Sequence, residues 1–82
     1  MSKSIHTISI IIYDRDTAFK AVTAILHDFA TDILLRVGYP MKEKNIAIIF
    51  LITEMTNDEI GAISGKLGQI ESVRVKSTSL KI

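Results

Sequence analysis

The stretch Asn45 to Thr53 is the most apolar part of the chain and predicts a β-strand that is apolar on both faces. Successive strand side chains point to opposite faces. One face therefore carries Ile46, Ile48, Phe50 and Ile52, and the other carries Ala47, Ile49 and Leu51. A strand with one hydrated face alternates apolar and polar residues instead. Both faces of this strand need a cover, and in a chain this short we expect a partner chain to supply part of it.

A first strand is predicted at Ile5 to Tyr13, where β-branched residues dominate. One of its faces carries His6, Ile8, Ile10 and Ile12, and the other carries Thr7, Ser9, Ile11 and Tyr13. The next residues break the alternation. Either Asp14 or Asp16 can cap a following helix, and we favour Asp16.

A helix is predicted from Thr17 to about Ala30 by apolar residues at helical spacing. The stripe consists of Phe19, Val22, Leu26 and Phe29, widened by Ala18 and Ile25. Burying each Phe or Leu stabilises the fold by roughly 1.5–3 kcal/mol, so we expect this stripe to cover one face of a sheet.

The next strand is predicted at Ile33 to Tyr39, before a charged connection at residues 41–44. Pro40 cannot donate a ladder hydrogen bond, so pairing should end there or the strand should lie at an edge.

A second helix is predicted from about Asn57 to Leu67, with Ile60, Ile63 and Leu67 inward. Thr56 and Glu59 at its start match a capping box. Gly68 follows the helix, where a left-handed C-cap is expected. The fourth strand is predicted at Ile70 to Lys76.

The order β-α-β-β-α-β predicts one α+β domain over residues 1–82, a ferredoxin-like sandwich. Right-handed crossovers place both helices on one face of a four-stranded antiparallel sheet, with the first and third strands central. We expect the face without helices to carry Ile11, Tyr13, Ala47, Ile49 and Leu51. Exposed apolar patches of this kind mark interfaces, so these five residues are the predicted contact of a homodimer or homotetramer. We expect the copies to associate either sheet to sheet or edge to edge.

Composition narrows the possible functions. The 82 residues are 48% apolar, contain no cysteine and have a formal charge of +1. The lack of cysteine excludes disulfides and thiolate metal sites, and the balanced charge gives no case for direct nucleic-acid binding. The longest apolar run is far shorter than the roughly 20 residues of a membrane span. The polar start does not resemble a signal peptide, so we expect a cytoplasmic protein.

The chain offers little catalytic or metal chemistry. His6 and His27 are the imidazoles, and without cysteine a metal site at either would need carboxylates or symmetry mates to complete it. We expect both to be ordinary surface or edge histidines. Asp14 and Asp16 form a carboxylate pair, but helix capping explains them better. We therefore predict a non-enzymatic protein without a cofactor.

Two stretches remain as candidate binding sites. Gly61 and Gly65 lie four residues apart on one helix face, where small residues allow close approach by the sheet, a second subunit or a ligand. In the second stretch, Arg36 can present its guanidinium to a carboxylate or phosphate beside the ring of Tyr39. A strand bulge at Gly38 is the structural alternative.

The segments Arg36-Val37-Gly38-Tyr39-Pro40, Ser64-Gly65-Lys66-Leu67-Gly68 and Val73-Arg74-Val75-Lys76-Ser77 resemble the iron-only hydrogenase system regulators. These are small domains related to ACT domains and to the C-terminal domain of nickel-responsive repressors. The resemblance covers nearly the whole chain and implies an ACT-like ferredoxin fold, self-association and a regulatory or ligand-sensing role.

The chain also departs from those wider relatives. Amino-acid-binding ACT domains commonly have a glycine in the turn after the first strand, where this chain has Tyr13-Asp14-Arg15-Asp16. The 82 residues contain neither the DNA-binding segment nor the histidine–cysteine metal site of the nickel-responsive repressors, so we expect neither direct operator binding nor nickel sensing. We therefore predict a regulatory homo-oligomer that binds a small effector through Arg36, Gly38, Tyr39, Gly65 and Lys66. The alternative is an adaptor that recruits a hydrogenase-maturation protein or a transcription factor through its sheet face or an edge of the sheet.

Overall fold

The computed structural model describes residues 2–82. Within that range the elements are β1 (Ser4–Ile12), α1 (Arg15–Asp28), β2 (Ile33–Met41), β3 (Ile46–Met55), α2 (Asn57–Gly68) and β4 (Val73–Ser79). Short 3-10 turns occupy Ala30–Asp32 and Lys42–Lys44. The described strands form a four-stranded antiparallel sheet in the order β2-β3-β1-β4. This confirms the ferredoxin-like fold and the central position of the first and third strands.

The register between the central strands decides which side chains the helices cover. Ile10 pairs with Ile49, and Ile8 pairs with Leu51. Directly paired residues point to the same face of a sheet. All four side chains are almost fully buried, so this face is the one under the helices.

The predicted placement of Ala47, Ile49 and Leu51 on the open face is therefore wrong. These side chains are at most 3% exposed and belong to the core of the chain itself. Alternation along β3 separates its two faces but does not say which one the helices cover. Only the pairing of even-numbered β1 residues with odd-numbered β3 residues settles that question.

The helices close the core from one side. Ala18, Val22 and Leu26 of α1 and Ile63 and Leu67 of α2 are buried against the sheet. Four further residues of the predicted apolar stripes are only partly buried against this core: Phe19, Ile25, Phe29 and Ile60. Both predicted apolar stripes are thus confirmed as the inward faces of their helices.

The capping box at the start of α2 is confirmed. The Thr56 amide donates to Glu59 Oε1 at 2.8 Å, and the Glu59 amide donates to Thr56 Oγ1 at 3.2 Å. The predicted left-handed cap at Gly68 is wrong, because Gly68 is the last helical residue and no described glycine has positive φ. The left-handed residue is Ser72, at φ 68°, which turns the chain into β4 three residues later than predicted.

At the start of α1, Asp14 is the N-cap and Asp16 lies in the first turn, so the preference for Asp16 is wrong. The Asp14 carboxylate does not cap the helix. It accepts a hydrogen bond from Asn45 Nδ2 at 3.0 Å, while Asn45 Oδ1 accepts one from the Asp16 amide at 3.2 Å. Asn45 is itself left-handed, at φ 56°. This side chain therefore ties the β1–α1 turn to the start of β3.

Candidate functional site

The face of the sheet without helices carries a compact apolar area on β2 and β3. Each β2 side chain stands beside a β3 side chain: Leu35 beside Ile52, Val37 beside Phe50, and Tyr39 beside Ile48. Leu35, Val37 and Tyr39 are 44–64% exposed, and Ile48 and Phe50 are 36% and 37% exposed. We call these five exposed side chains the apolar half of the open face.

The other half of the open face, on β1 and β4, is polar and basic. Ser9 pairs with Lys76, Thr7 with Thr78, and Ile11 with Arg74. The Arg74 guanidinium lies 5.9 Å from the centre of the Tyr13 ring, within cation–π range. Of the five predicted interface residues, Ile11 and Tyr13 therefore do lie on the open face. Their neighbours there include a cation as well as apolar side chains.

A groove of about 300 Å³ runs between α1 and the edge strand β2. Thr23, Leu26 and His27 of α1 line one side together with Ala30 of the 3-10 turn that follows, and residues 33–36 form the β2 side. Its apolar floor includes the buried Leu26 and the partly buried Ile33. His27 and Arg36 add two nitrogen-bearing side chains, and none of the lining residues is acidic. An arginine beside an apolar floor is suited to a small acid with an apolar part.

The β2 strand has an irregularity at this groove. The pairing with β3 shifts between Ile33 and Leu35, so Leu34 is the extra residue of a bulge and is 58% exposed. The strand then continues through Pro40 to Met41, and the described chain has β2 at an outer edge of the sheet. Pro40 is thus tolerated at an edge, one of the two outcomes predicted for it. The bulge lies at Leu34 rather than at Gly38.

The predicted ligand residues are divided among three places. Arg36 and Gly38 pair with Leu51 and Ile49, so they lie on the helix-facing side of β2, while Tyr39 lies on the open face. The prediction that Arg36 acts beside the Tyr39 ring is therefore wrong, because residues an odd number apart on a regular strand point to opposite faces.

Gly65 and Lys66 lie on α2, and the α1–β2 groove includes neither of them. The Lys66 ammonium is 5.6 Å from the centre of the Phe29 ring. A Cβ on Gly61 or Gly65 would meet no atom of the described chain within 4 Å. The sheet does not approach these glycines closely. Of the three explanations offered for the two glycines, close approach by the sheet is therefore wrong, whereas approach by a second subunit or a ligand stays a prediction.

Two residues with a structural part in these sites were not predicted from the sequence. His27 lines the groove with Thr23, Leu26 and Ala30, and this i, i+3, i+4, i+7 spacing was available in the sequence. Asn45 was assigned to the strand that follows it, although an asparagine between a charged segment and an apolar strand is a common left-handed residue.

Titratable groups give little further chemistry. Within residues 2–82 no group of three His, Cys, Asp or Glu side chains is arranged to hold a metal ion. The Nδ1 of His6 lies 3.3 Å from the Ser4 carbonyl oxygen, and this histidine is nearly buried. The Asp32 carboxylate, 3.0 Å from the Lys3 ammonium, raises the pKa of that lysine. Over the same range, neither helix is long and apolar enough to cross a membrane.

Known structures support the fold assignment. The ACT domain from GTP pyrophosphokinase of Chlorobium tepidum, in a crystal structure, superimposes with a TM-score of 0.78 at 20% identity, over 94% of this chain and 100% of that one. Its solution NMR structure gives 0.72 at 19% identity, over 100% and 91%. At this identity the likeness establishes an ACT-like fold and nothing further. The curated proteins yield no match.

The family follows from a closer match. Residues 4–77 match the TM1266-like family, described as "Iron-only hydrogenase system regulator, putative". The uncharacterized protein TM1266 from Thermotoga maritima is 54% identical, with a TM-score of 0.92 over 96% of this chain and 99% of that one. The chain belongs to this family, which confirms the resemblance noted in its sequence.

Proposed function

We propose that this protein is a non-catalytic regulatory domain that acts as a homo-oligomer and senses a small effector, within an iron-only hydrogenase system. Membership of the TM1266-like family supports the regulatory role and the hydrogenase link. The ACT-like fold supports a non-catalytic role, since the structure that shares this fold is named as the ACT domain from GTP pyrophosphokinase.

The apolar half of the open face carries the proposal of self-association. Its five large side chains are each at least 36% exposed, although they stand side by side on neighbouring strands. A contiguous exposed patch of this kind is unfavourable in a monomer and is normally covered by a partner. Two copies related by a two-fold axis can stack these halves against each other and leave Arg74 and Lys76 at the hydrated margin.

The α1–β2 groove is the proposed effector site. Arg36 supplies a guanidinium that the described residues leave without an ion-pair partner, and Leu26 and Ile33 supply apolar surface beside it. We assign the effector to the class of small carboxylates or phosphates with an apolar part. Gly38 continues the same side of β2 and leaves space next to Arg36. The other predicted ligand residues, Tyr39, Gly65 and Lys66, lie outside this groove and are not part of the proposed effector site.

Sedimentation velocity over a hundredfold range of protein concentration tests the self-association. We expect the wild-type chain to sediment as a dimer or larger species. Phe50→Lys should shift the assembly towards monomer, since it places a charge within the apolar half. Thr78→Lys, on the polar half of the same face, is the matched control and should leave the assembly intact. A folded wild-type monomer at every concentration would contradict the proposal and favour the adaptor alternative.

A thermal-shift screen tests the effector site. Small carboxylates and phosphates that bind the folded chain should raise its melting temperature. The rise should increase with the logarithm of the ratio of ligand concentration to Kd. Arg36→Ala should abolish the shift, and Lys76→Ala, which removes a cation from the opposite side of the sheet, should preserve it. A full panel without any shift, or shifts that survive Arg36→Ala, would count against this site.

A further inference from the structure

The strand β4 has a free edge that runs along its whole length. It pairs with β1 on one side and, over residues 2–82, with no strand on the other. Its register against β1 is continuous from Val73 to Ser79, and this range contains neither proline nor glycine. The edge is therefore regular enough to accept another extended chain as an additional strand.

The hydrogen bonds to β1 show which backbone groups of β4 remain free. The Tyr13 amide donates to the Ser72 carbonyl oxygen at 2.7 Å, and the Leu80 amide donates to the Ile5 carbonyl oxygen at 3.0 Å. In the register of these strands, even-numbered residues at the β4 side thus exchange hydrogen bonds with odd-numbered residues at the β1 side. Hydrogen-bonded pairs alternate with non-hydrogen-bonded pairs in an antiparallel sheet. The backbone groups that point outwards are therefore those of Val75, Ser77 and Ser79.

The side chains along this edge make it basic on the open face of the sheet. Arg74 and Lys76 lie there at alternate positions, and both are exposed. Within residues 2–82 neither cation has a carboxylate at ion-pair distance, and the open-face residues of β1 and β4 include no acid. Beside them is a depression of about 290 Å³ that Ser9 and Ile11 also line. Such cations disfavour pairing with a second copy of the same strand and favour pairing with an acidic one.

We propose that β4 accepts an extended acidic segment of another protein as a fifth strand, antiparallel to β4, with acidic residues at alternate positions opposite Arg74 and Lys76. These two cations occupy non-hydrogen-bonded positions towards the added strand, where opposed side chains approach each other most closely. The residues between the acids face Val75 and Ser77 and exchange backbone hydrogen bonds with them. This partner interface goes beyond the proposed effector sensing, and it lies at the opposite end of the sheet from β2.

Fluorescence anisotropy with the whole chain and labelled synthetic peptides tests the strand addition. The peptide Thr-Glu-Val-Glu-Val-Glu-Thr should bind, whereas the same peptide with lysine in place of glutamate should not. A version with N-methylated valines keeps every carboxylate but lacks the donors that pair with the outward carbonyls of β4, so it should not bind either. Failure of the acidic peptide to bind would overturn the proposal. Equal binding of the N-methylated version would also overturn it, because charge alone would then account for the binding.

Ser77→Pro tests the same backbone contact from the side of the protein. Proline is tolerated on an edge strand where its nitrogen faces away from the sheet, so this substitution removes an outward amide and leaves the ladder to β1 in place. We expect it to weaken binding of the acidic peptide by about tenfold. Ser77→Ala is the matched control, since it retains the amide and should bind as wild type does. Thermal melting shows whether the proline variant is folded, and the N-methylated peptide decides the question if it is not.

Charge reversal tests the specificity of the edge. Arg74→Glu combined with Lys76→Glu should weaken binding of the acidic peptide by about tenfold or more and should allow the lysine peptide to bind. Lys42→Glu combined with Lys44→Glu changes the net charge equally at the turn before β3, and it should leave the affinity unchanged. An equal loss in both double variants would overturn the proposal, because only the total charge of the chain would then matter.

Discussion

The two faces of β3 are almost equally apolar in sequence, but they have opposite environments. Ile49 and Leu51 are at most 2% exposed beneath the helices, whereas Ile48 and Phe50 are 36% and 37% exposed on the open face. The difference shows that this small chain has enough helix to cover one side of its sheet. The covered face stabilises the single chain, and we propose that the open face is available for assembly.

The largest effect is expected from truncating a side chain under the helices. Leu51→Ala removes fully buried atoms and leaves a cavity, so it should lower the free energy of unfolding by about 3 kcal/mol. Ile48→Ala on the open face should lower it by less than about 1 kcal/mol at protein concentrations where the chain is monomeric. Urea titration measures both. Equal losses would mean that the open face is as buried in the single chain as the covered face.

A smaller loss is expected from weakening the helix layer that makes the covered face. Thr56→Ala removes the hydroxyl that accepts a hydrogen bond from the Glu59 amide, and with it one of the two hydrogen bonds of the capping box. The free energy of unfolding should fall by about 1 kcal/mol. Thr78→Ala on the exposed end of β4 is a control for removal of the same hydroxyl, and it should be nearly neutral. If Thr56→Ala left the free energy of unfolding unchanged, the capping box would contribute nothing to the stability of the helix layer.

A gain of similar size is expected at Thr53, a polar residue within the covered face. Its side chain is fully buried, and its Oγ1 has no hydrogen-bond partner among the described residues. Thr53→Val keeps the shape and removes the unpaired hydroxyl, so stability should rise by about 1 kcal/mol. Denaturant midpoints of the two proteins provide the measurement. A loss on substitution would indicate that the hydroxyl is satisfied by bound water.

The smallest effect is expected from the exposed pair of Lys3 and Asp32, which joins the chain before β1 to the turn before β2. Because the Asp32 carboxylate raises the pKa of Lys3 above its ordinary value of 10.5, the contribution of the pair is fully present below that pH. It is lost as the pH rises through the folded-state pKa. The stability difference between wild type and Lys3→Met should therefore be small and constant near neutral pH, and should vanish in strong alkali. A difference that persists there would show that Lys3 acts through packing.

Local sequence signals accounted for most of the elements. The capping box at Thr56 and Glu59 and the apolar stripes of both helices follow from spacing within one or two turns, and the structure confirms them. The errors at Asp16 and Gly68 have a common origin. In both cases a residue suited to a helix end was present, but other contacts decided the end of the helix. At the start of α1, the distant Asn45 side chain binds the Asp16 amide. At the end of α2, the chain turns at the left-handed Ser72 instead of at Gly68.

The candidate site was predicted less well, because it depends on residues from separate elements. Arg36 was identified from its unusual neighbours, and it does line a groove. Its partner His27 comes from α1, and no local pattern in β2 indicates that the two would share a groove. Gly65 and Lys66 lie on α2 and belong to another surface, although the sequence analysis placed them in one predicted site with Arg36.

The βαββαβ order and the apolar central strand could be derived from the chain alone, because alternation and helical spacing are local properties of the side chains. The covered face of that strand could not be derived in this way and emerged only from the folded arrangement. Pairing of even β1 residues with odd β3 residues sends Ile49 inward and Phe50 outward, and a register is fixed between strands rather than along one.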